Sequence, residues 1–203
     1  MHRIAFLIRL IVVLAWFAGP AARAEEIEVR SASLRPADAG LVLDADFAFE
    51  LTPRLADVVA NGVPLYFRVD FELTRPRWYW LDETTATERL QLRLSYHALS
   101  RQYRLSTGLL QQNFGSLEEA LNVLKRVRNW LVVDRSVPLT GGEYGAAVRM
   151  RHDVSMLPKP FQLSALTGRE LHLESPWYRF TLHALQQAPA PVESREMPAV
   201  PAR

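Results

Sequence analysis

Apolar and polar side chains alternate with a period of two along three stretches of the chain, at residues 41–51, 65–74 and 90–97. This alternation is typical of strands that bury one face and expose the other, and such strands form antiparallel sheets. A short connection near Leu99 leads into residues 101–107, so we expect a hairpin there. Weaker strand patterns lie at residues 27–33, 146–152, 171–174 and 177–183.

Two helices interrupt the strand patterns. The first begins at Thr52, a good N-cap, with Pro53 at the first helical position. The second begins at Ser116, and Glu119 three residues later completes a capping box. Its apolar face and its terminal cations continue to Arg128, so this helix is predicted to be the longer of the two. The predicted core includes Val69, Phe71, Leu92, Leu94 and Leu121.

These elements predict an α+β, β-rich domain. We expect an antiparallel sandwich or a strongly curved sheet of seven to eight strands, with two covering helices. No glycine-rich turn joins a strand to a helix, which argues against a doubly wound nucleotide-binding fold. Prolines stiffen residues 157–161 into a predicted extended segment, which is either a docking segment or a rigid crossover that places Phe161 in the core.

The first 24 residues have the pattern of a secretory signal peptide. Arg3 and Arg9 precede a short apolar run, and small residues at Ala22 and Ala24 fit a peptidase site. The run is about half of the roughly 20 residues that span a bilayer, so cleavage after Ala24 is favoured over a retained anchor. We therefore predict a periplasmic protein with no retained transmembrane helix.

The predicted mature chain is one domain followed by a short tail. Residues 25–186 suit a single domain, and the proline- and alanine-rich residues 187–203 are predicted to be disordered. Removal of the leader takes away three arginines and no acid, which leaves 21 basic and 22 acidic residues and a net charge of −1. A nucleic-acid partner is therefore not expected. The chain has no cysteine, which excludes thiolate chemistry.

The densest cluster of chemically versatile side chains follows the second long strand. It defines the candidate binding surface, which consists of Arg75, Arg77, Trp78, Tyr79 and Trp80. Its guanidiniums suit phosphates or carboxylates, and its rings suit a ligand or a lipid interface. The alternative is a strand end whose rings pack in the core while its arginines form surface salt bridges.

Arginines recur at outward-facing strand positions. They are Arg68, Arg93, Arg104, Arg149 and Arg151. If their strands are neighbours, the guanidiniums form either an anion-attracting stripe or a ladder of mixed charges. Asp70 and Glu72 share the predicted face of Arg68, so the ladder of cross-strand pairs is the favoured interpretation.

No local motif indicates an enzyme. The histidines form no close pair of the kind that binds zinc, and no serine lies in a nucleophile elbow. Carboxylates such as Asp44 and Asp70 alternate along strands, as solvated strands ordinarily show. We therefore predict no catalytic residue, no metal site and no cofactor, and a hydrolase would need one of these aspartates beside a histidine in a deep pocket.

Several segments together resemble the DUF4390 family, exported proteobacterial proteins without an assigned function. These segments are residues 62–67, 75–80, 94–96, 100–105, 116–121, 148–151 and 157–162. The resemblance extends from about Ile27 to Leu182. It implies a periplasmic address and one domain, and it carries over no catalytic or ligand residue. Genes of the family often lie beside one for a membrane sensor kinase, so the resemblance points to such a kinase as a partner.

Two functions remain open from the sequence. The first is a non-enzymatic accessory protein that binds another envelope protein. The second is a carrier or sensor of a lipid or other amphiphile, held in a cavity whose mouth carries Arg75, Arg77, Trp78 and Trp80. The sequence leaves the oligomeric state open.

Overall fold

The computed structural model describes residues 26–76, 83–167 and 170–184. The predicted leader, the predicted tail and four residues of the candidate binding surface, Arg77 to Trp80, lie outside these ranges. Among the described residues the protein is β-rich, with nine strands in two antiparallel sheets. This confirms the predicted fold class, and the two sheets favour the sandwich over one curved sheet.

Seven of the nine described strands overlap stretches that the sequence predicted as strands, whereas those at residues 110–114 and 126–134 were not predicted, so the expected seven to eight strands and two helices were too few. Their bounds are β1 Glu28–Ala37, β2 Gly40–Ala48, β3 Leu65–Arg75, β4 Glu83–His97, β5 Gln102–Thr107, β6 Leu110–Phe114, β7 Arg126–Asp134, β8 Gly142–His152 and β9 Tyr178–Ala184. One sheet has the order β1-β2-β7, and the other has the order β6-β5-β4-β3-β8-β9. The predicted hairpin near Leu99 is confirmed, because β4 pairs with β5 antiparallel. The weak pattern at residues 171–174 gives only a single bridge, from Glu174 to Arg151.

Three α-helices accompany the strands in the described part of the chain: α1 Pro53–Ala60, α2 Leu117–Leu124 and α3 Lys159–Thr167. Both predicted caps are present, since Thr52 Oγ1 accepts from the Leu55 amide at 3.0 Å and Ser116 Oγ from the Glu119 amide at 3.2 Å. The prediction that the helix at Ser116 is the longer was wrong, because α1 and α2 each have 8 residues.

The sequence predicted that α2 ends later than it does because one apolar residue fits both a helix pattern and a strand pattern. Val127 lies on the apolar face of a continued helix, but it also begins the alternation of β7, where it is buried. The structure follows the second pattern, and β7 pairs with β2. The prolines at residues 157–161 likewise introduce α3 rather than an extended segment, and Phe161 packs against the core from a partly buried position.

The hydrophobic core lies between the two sheets. All five predicted core residues are buried, and Val69 and Phe71 on β3 are fully so. The Phe71 ring meets the Trp130 ring of β7 at a centroid distance of 6.4 Å, which joins the inner faces of the two sheets. The opposite face of β3 therefore points away from the three-stranded sheet. This outward face of the six-stranded sheet carries the candidate site.

Candidate functional site

Arginines crowd the outward face of the six-stranded sheet. On β3, β4, β5, β8 and β9 the strand register places seven arginines at outward positions and only three acids. The arginines are Arg68, Arg89, Arg93, Arg104, Arg149, Arg151 and Arg179, and the acids are Asp70, Glu72 and Glu143. The five arginines nearest the centre, Arg68, Arg89, Arg93, Arg149 and Arg151, are called the arginine face below.

One buried carboxylate holds the arginine face together. Asp70 stands on β3 between Arg89 of β4 and Arg149 of β8, and its side chain is 7% exposed. Its Oδ1 lies 3.2 Å from Arg68 Nε and 3.7 Å from Arg89 Nε. Its Oδ2 lies 3.1 Å from Arg149 Nε and 3.2 Å from Arg151 Nε. Four guanidiniums therefore meet at a single aspartate.

The cluster keeps an excess of positive charge. A second carboxylate, Asp153, lies 3.5 Å from Arg68 Nη1. Two carboxylates against four guanidiniums leave a net charge of +2 on this group of side chains. A carboxylate has about four lone-pair sites, whereas each guanidinium has five N–H donors. Donors therefore outnumber acceptors, and the surplus can bind a further anion.

The donors that remain are the outer ends of the guanidiniums. Arg149 Nε donates a hydrogen bond to Asp70, and Arg151 Nε forms an ion pair with Asp70 without a hydrogen bond, while the terminal nitrogens of both have no hydrogen bond to any residue in the described part of the chain. Asp70 thus orients the two arginine side chains but leaves the N–H donors of their terminal nitrogens unpaired. Paired terminal nitrogens of this kind match the oxygens of carboxylates and phosphates.

Aromatic rings further fix the arginines. The Trp177 ring stacks on Arg149 with the guanidinium carbon 4.4 Å from the ring centroid. The Tyr66 ring lies 5.9 Å from the corresponding carbon of Arg93. Contacts of this type restrain the guanidinium without consuming its hydrogen-bond donors. Arginine and aromatic side chains are also the residue types that contribute most to protein interfaces.

The outward face of the three-stranded sheet shows a different balance of charge. Arg35 pairs with Asp44 there and Arg128 pairs with Asp46, while Arg126 stands opposite Asp46 without an ion pair of its own. The Asn129 amide and Arg35 hold the pKa of Asp44 below its usual value, and Arg128 does the same for Asp46. The mixed-charge ladder favoured from the sequence was predicted for the outward arginines of the six-stranded sheet. It accounts there for the ion pairs of Asp70 but not for the excess of arginine.

The sequence-predicted binding surface is only partly within the described residues. Arg75 is half-buried at the end of β3, with its guanidinium carbon 6.0 Å from the centroid of the Tyr144 ring. Arg77, Trp78, Tyr79 and Trp80 lie outside the described residues, so their role as a binding surface stays a prediction. Sequence reasoning did not single out Arg89, although it alternates with Gln91 and Arg93 on the strand.

The aspartates proposed for hydrolysis have arginine neighbours instead of a histidine. Asp70 contacts four guanidiniums, and Asp44 accepts hydrogen bonds from Arg35 and from the Asn129 amide. The Asn129 amide and Arg35 lower the pKa of Asp44, so this carboxylate stays ionised and makes a poor general acid. Within the described ranges no three side chains of the metal-binding types converge on one point. The described part of the chain likewise contains no helix with the length and apolarity to cross a bilayer.

His152 is the one described histidine that is buried. Its Nδ1 lies 2.8 Å from the Leu171 carbonyl, and its Nε2 has no partner among the described residues. Burial lowers the pKa of His152 below the usual value of 6.5, although the Leu171 carbonyl and Asp153 act in the opposite direction. The folded protein therefore holds this imidazole neutral at a pH where the unfolded chain protonates it.

We expect stability to fall as the pH is lowered through the unfolded-state pKa of His152. Between that pKa and the lower folded-state value the unfolded chain binds more protons, so acid favours unfolding by up to about 1.4 kcal/mol per pH unit. Urea unfolding of the wild type and of His152→Gln at pH 7.5, 6.0 and 5.0 measures the effect. The variant should lose less stability over this range, and parallel curves for the two proteins would contradict the assignment.

Comparison with known proteins gives one result. A family model described as a domain of unknown function (DUF4390) matches residues 24–181. No curated protein and no solved structure matches the chain significantly. The match covers more than half of the chain and confirms the family resemblance drawn from the sequence motifs.

Proposed function

We propose that this chain, which belongs to the DUF4390 family, is an exported, non-enzymatic accessory protein of the cell envelope. It binds an acidic surface of a partner protein through the arginine face. The observation that carries this proposal is the meeting of four guanidiniums at the single carboxylate of Asp70. A membrane sensor kinase is the partner that the family resemblance favours.

The shape of the arginine face supports a macromolecular partner. The face lies on the open side of a sheet, and four clefts of 360 to 720 Å³ all lie elsewhere on the molecule. Small-molecule sites are concave and enclose most of their ligand, whereas protein interfaces are broad and carry a polar rim. A fixed array of outward-pointing guanidiniums on a broad surface suits clustered carboxylates of another protein.

Preorganisation supports the same proposal. Binding usually costs the side-chain entropy of the residues that become ordered at an interface. Asp70 and Trp177 already hold Arg149 in place, so this residue loses little further freedom when an anion binds. The net positive charge also accelerates the approach of an acidic partner, and this effect weakens as ionic strength rises.

Export is a separate part of the proposal and has its own test. The predicted leader ends at Ala24, so the purified mature protein should begin at Glu25. N-terminal sequencing of the protein recovered from the periplasmic fraction measures this directly. A first residue of Met1, or recovery only from the cytoplasmic fraction, would contradict export.

Neutralisation of the rim of the arginine face tests the docking proposal. We choose Arg89→Gln with Arg93→Gln, because Arg89 is 69% exposed and lies farthest from Asp70 among its four partners. Crosslinking in intact envelopes should recover a partner with the wild type, and association with that partner should slow about tenfold in the double variant. The matched control is Arg30→Gln with Arg54→Gln, two exposed arginines without an ion pair among the described residues.

The outcomes of this experiment separate the alternatives. The control should bind as the wild type does, and both double variants should melt within a few degrees of it. An equal loss of partner binding in the test and control variants would show a general effect of charge and would contradict specific binding through the arginine face. Undiminished partner binding by the test variant would also contradict it. Binding to vesicles of anionic phospholipid in place of any protein would assign the face to a membrane surface instead.

A further inference from the structure

An apolar cleft opens between the two sheets on the side away from β1 and β9. It has a volume of about 360 Å³ and lies where α2 connects β6 of one sheet to β7 of the other. Its apolar lining comes from both sheets and from α2, and it consists of Leu90, Leu92, Leu105, Leu110, Val123, Val127, Trp130 and Leu131. None of the residues of the arginine face lines it.

The cleft has a buried floor and an exposed apolar mouth. Leu92, Leu105 and Val127 at the floor are buried. At the mouth, Leu110 is 72% exposed and Val123 and Leu131 are each 37% exposed. Large apolar side chains that cluster at a surface mark a site for an apolar ligand or partner, whereas single exposed ones are ordinary.

An exposed cation stands at the same mouth. Arg126 lines the cleft and forms no ion pair within the described part of the chain, although it stands opposite Asp46 in the pairing of β2 with β7. Its neighbour Arg128 is already engaged, since its Nη2 binds Asp46 and its Nη1 donates to the Ala45 and Val127 carbonyls. The cleft thus combines a mainly apolar lining with an exposed guanidinium at its entrance, where Arg126 and Arg128 together exceed the single charge of Asp46 by one.

We propose that this cleft binds a single-chain anionic amphiphile, with the alkyl chain between the sheets and the headgroup at Arg126. The volume lies near the lower end of the range of about 300–1,000 Å³ for small-molecule sites, which suits one alkyl chain better than a helix of a partner protein. The surplus of one positive charge beside Asp46 matches a headgroup with one negative charge. This site is independent of the docking proposal, because the two involve different residues on different sides of the six-stranded sheet.

Dodecanoate is the probe that tests the cleft. Displacement of a fluorescent fatty acid from the purified protein should give saturable binding of dodecanoate. Leu110→Asp and Val123→Asp place a carboxylate at the apolar mouth and should each weaken that binding about tenfold or more. The matched control is Leu99→Asp, which changes an exposed leucine outside the cleft and should leave the affinity unchanged.

Arg126→Gln tests the headgroup contact separately. It should weaken dodecanoate binding about tenfold and leave binding of the uncharged dodecan-1-ol unchanged. Two binding results would overturn the proposal: the absence of saturable dodecanoate binding by the wild type, or a loss of affinity in Leu99→Asp equal to that in the cleft variants. A wild-type dimer that Leu110→Asp converts to monomers would also overturn it, since a second copy of the chain would then cover the cleft. Arg89→Gln with Arg93→Gln should bind dodecanoate normally, so failure of the docking proposal is distinguishable from failure of this one.

Discussion

Asp70→Asn should lower the free energy of unfolding by about 3–5 kcal/mol, because removal of one partner from a buried ionic group leaves its counter-charges uncompensated. Asp70 is the carboxylate on which Arg68, Arg89, Arg149 and Arg151 converge. Asparagine fills nearly the same volume, so the loss reports charge and not packing. Without the carboxylate the guanidiniums repel one another across β3 and its two neighbouring strands. Urea unfolding at neutral pH measures the change.

The control for Asp70→Asn is Asp46→Asn on the other sheet. Asp46 is 39% exposed and forms one ion pair, with Arg128, beside a hydrogen bond from Ser31, so loss of its charge should cost about 1 kcal/mol or less. Addition of Arg89→Gln to Asp70→Asn should restore part of the lost stability, since it removes one of the repelling charges. Similar effects of the two aspartate variants, or no recovery in the double variant, would show that Asp70 does not hold the cluster together.

Phe71→Ala should also destabilise the protein by about 3–5 kcal/mol, the usual cost of removing a buried aromatic ring. Phe71 is fully buried on the inward face of β3, and its ring contacts Trp130 of the opposite sheet. The truncation therefore leaves a cavity at the junction of the two sheets, where the backbone of neither sheet can move inward to fill it. Thermal and urea unfolding both report the loss.

Leu109→Ala is the comparison for Phe71→Ala. Leu109 lies in the turn between β5 and β6 and is fully exposed, so its truncation should change stability by no more than about 0.5 kcal/mol. The Trp130 ring should become more accessible to a fluorescence quencher in Phe71→Ala and not in Leu109→Ala. A small effect of Phe71→Ala would contradict the role of the Phe71–Trp130 contact in joining the two sheets.

Local sequence patterns predicted an element correctly where its residues fit only one type of secondary structure. On β3 the alternation from Leu65 to Leu73 predicted both the strand and its buried face, because side chains point to opposite faces at successive positions. The caps at Thr52 and Ser116 were likewise predicted, since a cap satisfies backbone donors within four residues of itself. Local patterns failed at Val127, which fits a helix and a strand equally well, and pairing with β2 decides the outcome there.

The arginine face depends on relations that no local pattern contains. Arg68 and Asp70 are two residues apart, and the sequence placed them on one face. Arg89 and Arg149 join them only because β4 and β8 are the two neighbours of β3 and because their registers align with Asp70. The sequence favoured a ladder of the outward arginines over a stripe but could not decide between them, since that choice depends on which strands are adjacent.

The sequence by itself therefore determined seven of the nine described strands, the apolar side of the strongly alternating ones, where α1 and α2 begin, and to which family the chain belongs. Only the tertiary structure decided that β6 and β7 are strands, that four guanidiniums share one carboxylate, and that an apolar cleft with an exposed arginine opens where the sheets part. The physical reason is the range of the interactions. Side-chain alternation and capping act over a few residues, whereas strand order and register result from packing between segments far apart in the chain.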